Sequence, residues 1–416
     1  MAAKKGPNFL DELEKTVKKY QYLSEDKDIM LTTGLLTLDY GNGKRIKVYD
    51  DDNNIIDEYD ELGVAMGSVN GFTGESSTGK SALAYICAGS IMATYDQSDV
   101  HIIDVEDSFD KERFKNLTNL SASTLKKRMN ILKTDVVEEM ADYIVKLVKE
   151  KLTRVTELTI DSGKRNMFNE PIQFLTPTVI IIDSWSKLTT RSQLVKAFDE
   201  SSKQEYENNM QGATRAKTLN AIIKLMSKLA TIANVTFLVV HHTTDVIQAG
   251  FISKAAQNMH MGGGKHITGG KQSIYLSNNL IETGNMGKLI ANGSRSPNYG
   301  VDGFLVGMKV AKSRTNSTGK ILEAVFDYRL GGFNRLLTLF HYAAKNEIIQ
   351  GGGQKYYFES YPEVTFSKKN FEKVARKNPK LVSVLFDECK NSLSSLLSNT
   401  SNFDIDDEID IMDALY

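Results

Sequence analysis

The chain has 416 residues, 41% of them apolar and 25% charged, enough for one large α/β domain with appendages or for a few smaller domains. Its net charge of −1 excludes a uniformly basic surface, and no apolar run approaches the ~18 residues that cross a bilayer. The two cysteines, Cys87 and Cys389, lie far apart, so neither a disulfide framework nor a cysteine metal site is expected.

From the amino terminus, residues 8–20 read as a helix with Phe9, Leu10, Leu13, Val17 and Tyr20 on one face. The residues before it form no signal-peptide core, so a cytoplasmic protein is expected. Residues 21–35 read as a linker and a short strand. Residues 42–62 read as a solvent-exposed hairpin that turns at Asp51-Asp52-Asn53-Asn54. A core then begins near Gly63. An apolar run at 64–72 leads into a glycine-rich loop, and 82–92 carries a helical pattern. Buried strands follow at 100–105, 179–183 and 235–240, with helices at 135–158 and 214–233 between them. Strands alternating with helices imply a mostly parallel twisted sheet with helices on both faces, an α/β fold. Two stretches read as long functional loops, the polar 191–213 and the glycine-rich 249–273. Strands Gly307 to Ala311 and Ile321 to Asp327 precede a helix at 336–346, and 366–397 looks helical. Asp404, Asp406, Asp407, Glu408, Asp410 and Asp413 then crowd an acidic tail with no Lys or Arg after Lys390, so the rest of the chain is net positive. The expected units are 1–62, a core at 63–345, a small carboxy-terminal α/β region at 346–397 and the tail at 398–416.

The sharpest signal is Gly74-Glu75-Ser76-Ser77-Thr78-Gly79-Lys80-Ser81, which fits G-x-x-x-x-G-K-[ST] between a strand and a helix. Glycines let such a backbone wrap a polyphosphate, with loop N–H groups pointing at its oxygens. Lys80 would reach the β- and γ-phosphates of ATP, and the Ser81 hydroxyl would ligate Mg²⁺. Asp183, at the end of four consecutive apolar residues, is the matching metal-positioning carboxylate. Glu106 follows a strand directly and could hold a water in line with the γ-phosphate, with Asp104 and Asp107 as alternatives. His241 and His242 end the next strand, where a polar side chain can sense the γ-phosphate. Lys309, Lys312 and Arg314 alternate along or beyond a later strand, as a solvated face or as cations offered to a neighbouring subunit.

Together these residues resemble the RecA family of ATP-dependent DNA strand-exchange proteins, nearest to its UvsX-like bacteriophage branch. The resemblance covers about residues 30–345. It is carried by Thr33-Gly34-Leu35-Leu36-Thr37-Leu38-Asp39, the 74–81 loop, Asp104-Val105-Glu106, Met210 to Ala230, Val240-His241-His242-Thr243, Met261-Gly262-Gly263-Gly264 and Lys312-Ser313-Arg314-Thr315. Residues 350–416 match no motif, and His242 stands where bacterial relatives carry glutamine.

The resemblance implies a RecA-like P-loop core with Glu106 as the catalytic glutamate and Arg113 stacked on adenine. It implies that the loops near 191–213 and 249–273 hold single-stranded DNA, with Arg191, Lys203, Arg215, Lys254, Gly262, Gly263, Gly264, Lys265 and Lys271 as candidate contacts. Lysines in polar, glycine-rich segments suit sequence-independent backbone contacts. The implied activity is DNA-dependent ATP hydrolysis by a helical filament that pairs single- with double-stranded DNA. Lys312 and Arg314 would reach a neighbour's phosphates, and loader, mediator or single-strand-binding proteins are the expected partners. The phage resemblance points to host-cell cytoplasm. A hexameric replicative helicase, or a mediator that binds ATP without turnover, stays open as an alternative.

Overall fold

A computed structural model describes residues 29–198, 205–245, 265–267, 271–293 and 297–397. The expected helix at 8–20, the tail at 398–416, and Lys203, Lys254, Gly262, Gly263 and Gly264 lie outside these residues. The chain enters on β1 (Met30–Leu31), the helix Leu36–Asn42 and a hairpin of β2 (Lys44–Tyr49) and β3 (Ile55–Glu61). It returns through β4 (Val64–Ala65), which pairs with β1. Then come β5 (Val69–Gly74), the helix Lys80–Thr94, β6 (Asp99–Asp104), the helices Lys111–Thr118 and Ala122–Arg128, and β7 (Met129–Lys133). The helix Val137–Thr153 leads to a second hairpin, β8 (Thr159–Arg165) and β9 (Pro171–Leu175), and to β10 (Thr178–Asp183). Helices Arg191–Phe198 and Glu205–Ala233 precede β11 (Val235–Asp245), β12 (Lys265–Ile267) and the helix Lys271–Leu276. Finally β13 (Asn279–Leu289), β14 (Gly303–Ser313), β15 (Ile321–Asp327) and β16 (Gly332–Phe333) complete the sheet.

The central sheet has the order β16-β15-β14-β13-β5-β11-β10-β6-β7, with β12 paired to the end of β11. From β13 across to β7 the strands run parallel, and β14 to β16 extend them antiparallel. Apolar strands such as Val179 to Ile182 and Val235 to Val240, the second interrupted only by Thr236, are buried on both faces, as parallel strands under helices must be. The helix Lys80–Thr94 covers one face over Phe72, Ile102, Ile181 and Leu238. Helices Val137–Thr153 and Glu205–Ala233 cover the other, over Val69, Ile103, Ile180 and Val239. No helix among the described residues is long and apolar enough to cross a membrane.

Three expectations change. The single helix expected at 135–158 is two, Val137–Thr153 and Val155–Leu158, of which the first is a layer on the sheet. Its Val137, Met140, Ile144 and Val148 pack directly on the sheet. The polar stretch at 191–213 is largely helical, because it contains no Pro, only Gly212, and many straight-chain helix formers; polarity did not mean loop. The first hairpin is exposed on one side only. Ile46 and Val48 are buried, and the second hairpin braces it through Tyr59 Oη donating to Arg165 O at 2.7 Å and a Lys164–Glu61 ion pair.

The carboxy-terminal region continues with the helix Arg335–Lys345, a small sheet of β17 (Gln350–Gly352), β18 (Lys355–Phe358) and β19 (Tyr361–Phe366), and the helices Phe371–Lys377 and Pro379–Leu393. Phe340 stacks on Phe371 at 3.8 Å between centroids. The same cluster takes in Tyr40 from the first helix and Leu289, Leu305 and Val325 from β13 to β15, so this region is packed onto the antiparallel side of the sheet.

At the opposite, amino-terminal edge of the parallel strands, Lys151 Nζ donates to Thr176 O at 2.6 Å, Thr178 Oγ1 at 3.0 Å and Asn234 O at 3.1 Å. Burial pushes this amine down to about 7, against the pull of Asp99. Because the folded value lies below that of an unfolded lysine, the unfolded chain holds more protons between about pH 7 and 10, and stability should rise with pH across that window. Urea unfolding of Lys151→Met should show a loss of about 1–3 kcal/mol at pH 8 from the unpaired acceptors, and no such rise. An unchanged pH profile would contradict this role.

Candidate functional site

Parallel strands in register bring their carboxyl ends level, and ligands of such sheets sit in the crevice beyond those ends. Here Asp183 of β10 lies opposite Asp104 of β6, and His242 of β11 opposite Gly74 of β5. The crevice is a cleft of about 490 Å³ lined by Ser76, Ser77, Gly79, Lys80 and Ser81 of the loop, together with Glu106, Asp183, His242 and Arg113. Residues distant in sequence and expected to act together therefore converge.

The loop has the backbone its glycines permit. Gly79 adopts φ 90° at the helix entry, where a Cβ would stand 3.0 Å from the Phe333 ring. Gly74 adopts φ 147°, where a Cβ would collide with the Thr283 carbonyl. Thr78 Oγ1 bonds to Thr283 Oγ1 at 2.7 Å and to Glu75 O at 2.8 Å, which pins the loop to β13. Lys80 is buried and its Nζ turns back to Glu75 O. Burial holds its amine below the usual lysine range, opposed by the charges of Asp183, Glu106 and Glu75.

Asp183 shares a hydrogen bond with Ser81, the pair expected to position Mg²⁺. Burial raises its carboxyl above the usual range; the Ser81 bond opposes this, Glu106 adds to it, and His242 and Lys80 oppose it. Among the described residues no three His, Cys, Asp or Glu side chains cluster as a metal cage. One hydroxyl, one carboxylate and the oxygens of a bound polyphosphate are what Mg²⁺ commonly uses, so the residues fit that ion.

The structure separates the three candidate acids. Asp104 is buried and closes its own turn, accepting from Ser108 N at 3.0 Å and Phe109 N at 3.2 Å. Asp107 is exposed and paired with Lys133. Glu106 alone faces the cleft, where its Oε1 accepts from Ser184 Oγ at 2.7 Å and meets His242 Nε2 at 3.0 Å. Burial pushes the Glu106 carboxyl up, but Ser184, His242 and Lys187 outweigh it and hold it below the usual range. A carboxylate held low stays ionised and suits orienting a water more than accepting its proton permanently.

Other expected residues fall elsewhere. Arg113 lines the cleft from a helix capped by Asp110, with Nη2 donating to Gly331 O at 3.3 Å. Lys312 lies level with Leu280 and so with Gly71, at the other end of the strands, roughly 10 Å below the loop at the usual strand rise. Its Nζ donates to Ile274 O at 2.9 Å and to Tyr275 O, and Arg314 Nη2 reaches Tyr275 O at 3.1 Å. Burial and Arg314 push the Lys312 amine down to about 8. Neither cation touches the cleft of its own chain. Arg191 is exposed at a helix start. Arg215 is instead tied down, donating to Leu188 O at 2.8 Å and Ser186 O at 2.9 Å, which braces the segment after β10. Lys265 opens β12 and Lys271 opens the helix Lys271–Leu276.

Sequence reasoning missed Ser184, Ser108, Asn285, Phe304, Phe326 and Tyr328, of which all but Ser184 line the cleft. Phe304 pairs with Phe326 across β14 and β15 and stacks on it at 4.8 Å, so working out that register would have exposed the aromatic wall. Scans against protein-family models and curated proteins return no match for the chain.

Replacing Ser184 by Ala should raise the Glu106 carboxyl toward or above the ordinary glutamate value of about 4.3. Carboxyl carbon NMR, assigned by difference with Glu106→Gln, reads it; an unmoved titration would show that Ser184 does not set this charge.

Proposed function

We propose that this chain is an ATP-dependent recombinase of the RecA kind, assembling on single-stranded DNA and exchanging strands with a homologous duplex. The observation that carries this reading is the convergence of the 74–81 loop, Asp183, Glu106 and His242 in one cleft, with His242 on the strand that runs on toward the glycine-rich segment. Loop N–H groups and Lys80 hold the phosphates, and Ser81 and Asp183 hold Mg²⁺, which when bound neutralises charge on the phosphate oxygens. Glu106 orients the water that attacks the γ-phosphorus as the bond to the bridging oxygen breaks. His242, in contact with Glu106, registers whether a γ-phosphate is present and passes that state along β11. Arg113 and Tyr328, which also line the cleft, offer a guanidinium and a ring to a flat base.

Lys312 and Arg314 support catalysis shared between subunits, because they lie at the end of the sheet opposite their own cleft. Stacking subunits head to tail brings that end toward a neighbour's phosphates, and such a contact generates a helical filament. Basic residues of the segments after β10 and β11 then face DNA through phosphate contacts.

ATP turnover should rise at least about tenfold on adding single-stranded DNA, and Lys80→Ala should lose nucleotide binding. Glu106→Gln should bind ATP but turn over at least about a hundredfold more slowly. DNA-independent turnover, or brisk turnover by Glu106→Gln, would contradict the reading. Mixing Arg314→Ala with Asp183→Ala protomers should recover some activity if sites are shared; no recovery would count against the arrangement in trans.

A further inference from the structure

Tyr328 reaches the cleft from the turn between β15 and β16, where its ring meets those of Phe304 and Phe326. The residue is 58% exposed, with centroids 5.9 Å from Phe304 and 6.4 Å from Phe326. Its direction therefore comes from those two rings and from the backbone of the turn. That backbone is closed by Leu330 N to Asp327 O at 3.1 Å, Gly331 N to Tyr328 O at 3.2 Å and Tyr328 N to Asp302 O at 3.0 Å.

The turn is gripped from two sides. On the cleft side Arg113 Nη2 donates to Gly331 O at 3.3 Å. On the far side Arg329 Nη2 donates both to Asp327 Oδ2 at 2.6 Å and to Glu372 Oε2 at 2.9 Å. Glu372 lies in the first turn of the helix Phe371–Lys377, in the region with no recognisable motif. Its other oxygen accepts from Arg376 Nη2 at 2.9 Å and Asn334 Nδ2 at 3.3 Å, and Asn334 Nδ2 also reaches Asp327 Oδ2 at 3.2 Å. The Asp327 side chain is fully buried, so this is an anchored network and not a loose surface pair. Asp327, Arg329 and Glu372 do not line the cleft themselves.

We infer that Glu372 is a positioning residue: through Arg329 it fixes the turn that presents Tyr328, so that the carboxy-terminal region sets how tightly the cleft holds the base of a nucleotide. The inference rests on the nucleotide reading of the cleft proposed above. A ring already held in place binds a flat base without first being ordered, which is where such a brace contributes affinity. The phosphates are held by the 74–81 loop, which is pinned instead to β13 through Thr78 and Thr283.

The test compares ATP with inorganic tripolyphosphate, which has the phosphates and no base, on the full chain with Mg²⁺. In Glu372→Gln the ATP dissociation constant should rise about fivefold while that for tripolyphosphate stays within about twofold. The KM for ATP should rise with it and kcat should hold. In a Tyr328→Ala background the Glu372→Gln change should add nothing, because the ring it steers is gone. Arg329→Gln reads the same contact from its other side if Glu372→Gln does not fold. Unaltered ATP affinity, or equal weakening of ATP and tripolyphosphate, overturns the brace. If the wild-type chain binds neither ligand, the nucleotide reading itself falls and the brace falls with it.

Discussion

One carboxylate oxygen, Glu106 Oε1, is where three parallel strands meet. Glu106 follows β6, Ser184 follows β10, and His242 lies within β11, and the last two both bond to that single atom. They come within reach only because the strands hold register, with Asp104 opposite Asp183 and Ile182 opposite Val239. Alternate residues of these strands pack into two different cores, so a one-residue slip would exchange the two packed sets. Packing far below the cleft therefore decides its geometry. Both bonds fall on Oε1, so Oε2 has no hydrogen bond among the described residues and remains for water.

The same strands link the cleft to more distant parts of the molecule. The chain between β11 and β13 is tied near its start by the His242–Glu106 contact and near its end by Lys312 and Arg314, which hold the carbonyls of Ile274 and Tyr275. In the proposed filament those two cations would also face a neighbour's phosphates, so nucleotide state would reach the segment from both ends. The antiparallel side is bound just as firmly to the rest. Tyr40, Val325 and Phe340 share one core, and the Asp327–Arg329–Glu372 network joins the carboxy-terminal helices to the wall of the cleft.

How much of this was legible in the sequence depends on how local the signal is. The 74–81 loop, the strand ending at Asp183 and the strand carrying His242 were readable because glycine spacing and β-branched runs are local. So was the α/β fold, since strands and helices alternate along the chain. What was lost is long-range. Nothing near Glu106 says that Asp104 closes a turn or that Asp107 pairs with Lys133; both follow from the folded chain. Arg215 reads as a free cation in sequence, yet its guanidinium is spent on two carbonyls nearly thirty residues away. Strand β13, rich in polar residues and glycine, gave no apolar alternation, because part of it is exposed and part packs under other regions. Tyr328 was invisible for the same reason, as the cleft it lines is built with β14 and the 74–81 loop.

The central claim is that the γ-phosphate is felt at Glu106 and relayed through His242 to the segment that grips DNA. Fluorescence anisotropy of labelled single-stranded DNA, titrated with the chain plus a non-hydrolysable ATP mimic and then plus ADP, measures that relay as a ratio of affinities. The account predicts a ratio of about tenfold or more in the wild type and close to one in His242→Ala, with nucleotide affinity retained in both. A His242→Ala protein that kept the full ratio, or a wild type whose grip on DNA ignored the nucleotide, would contradict it.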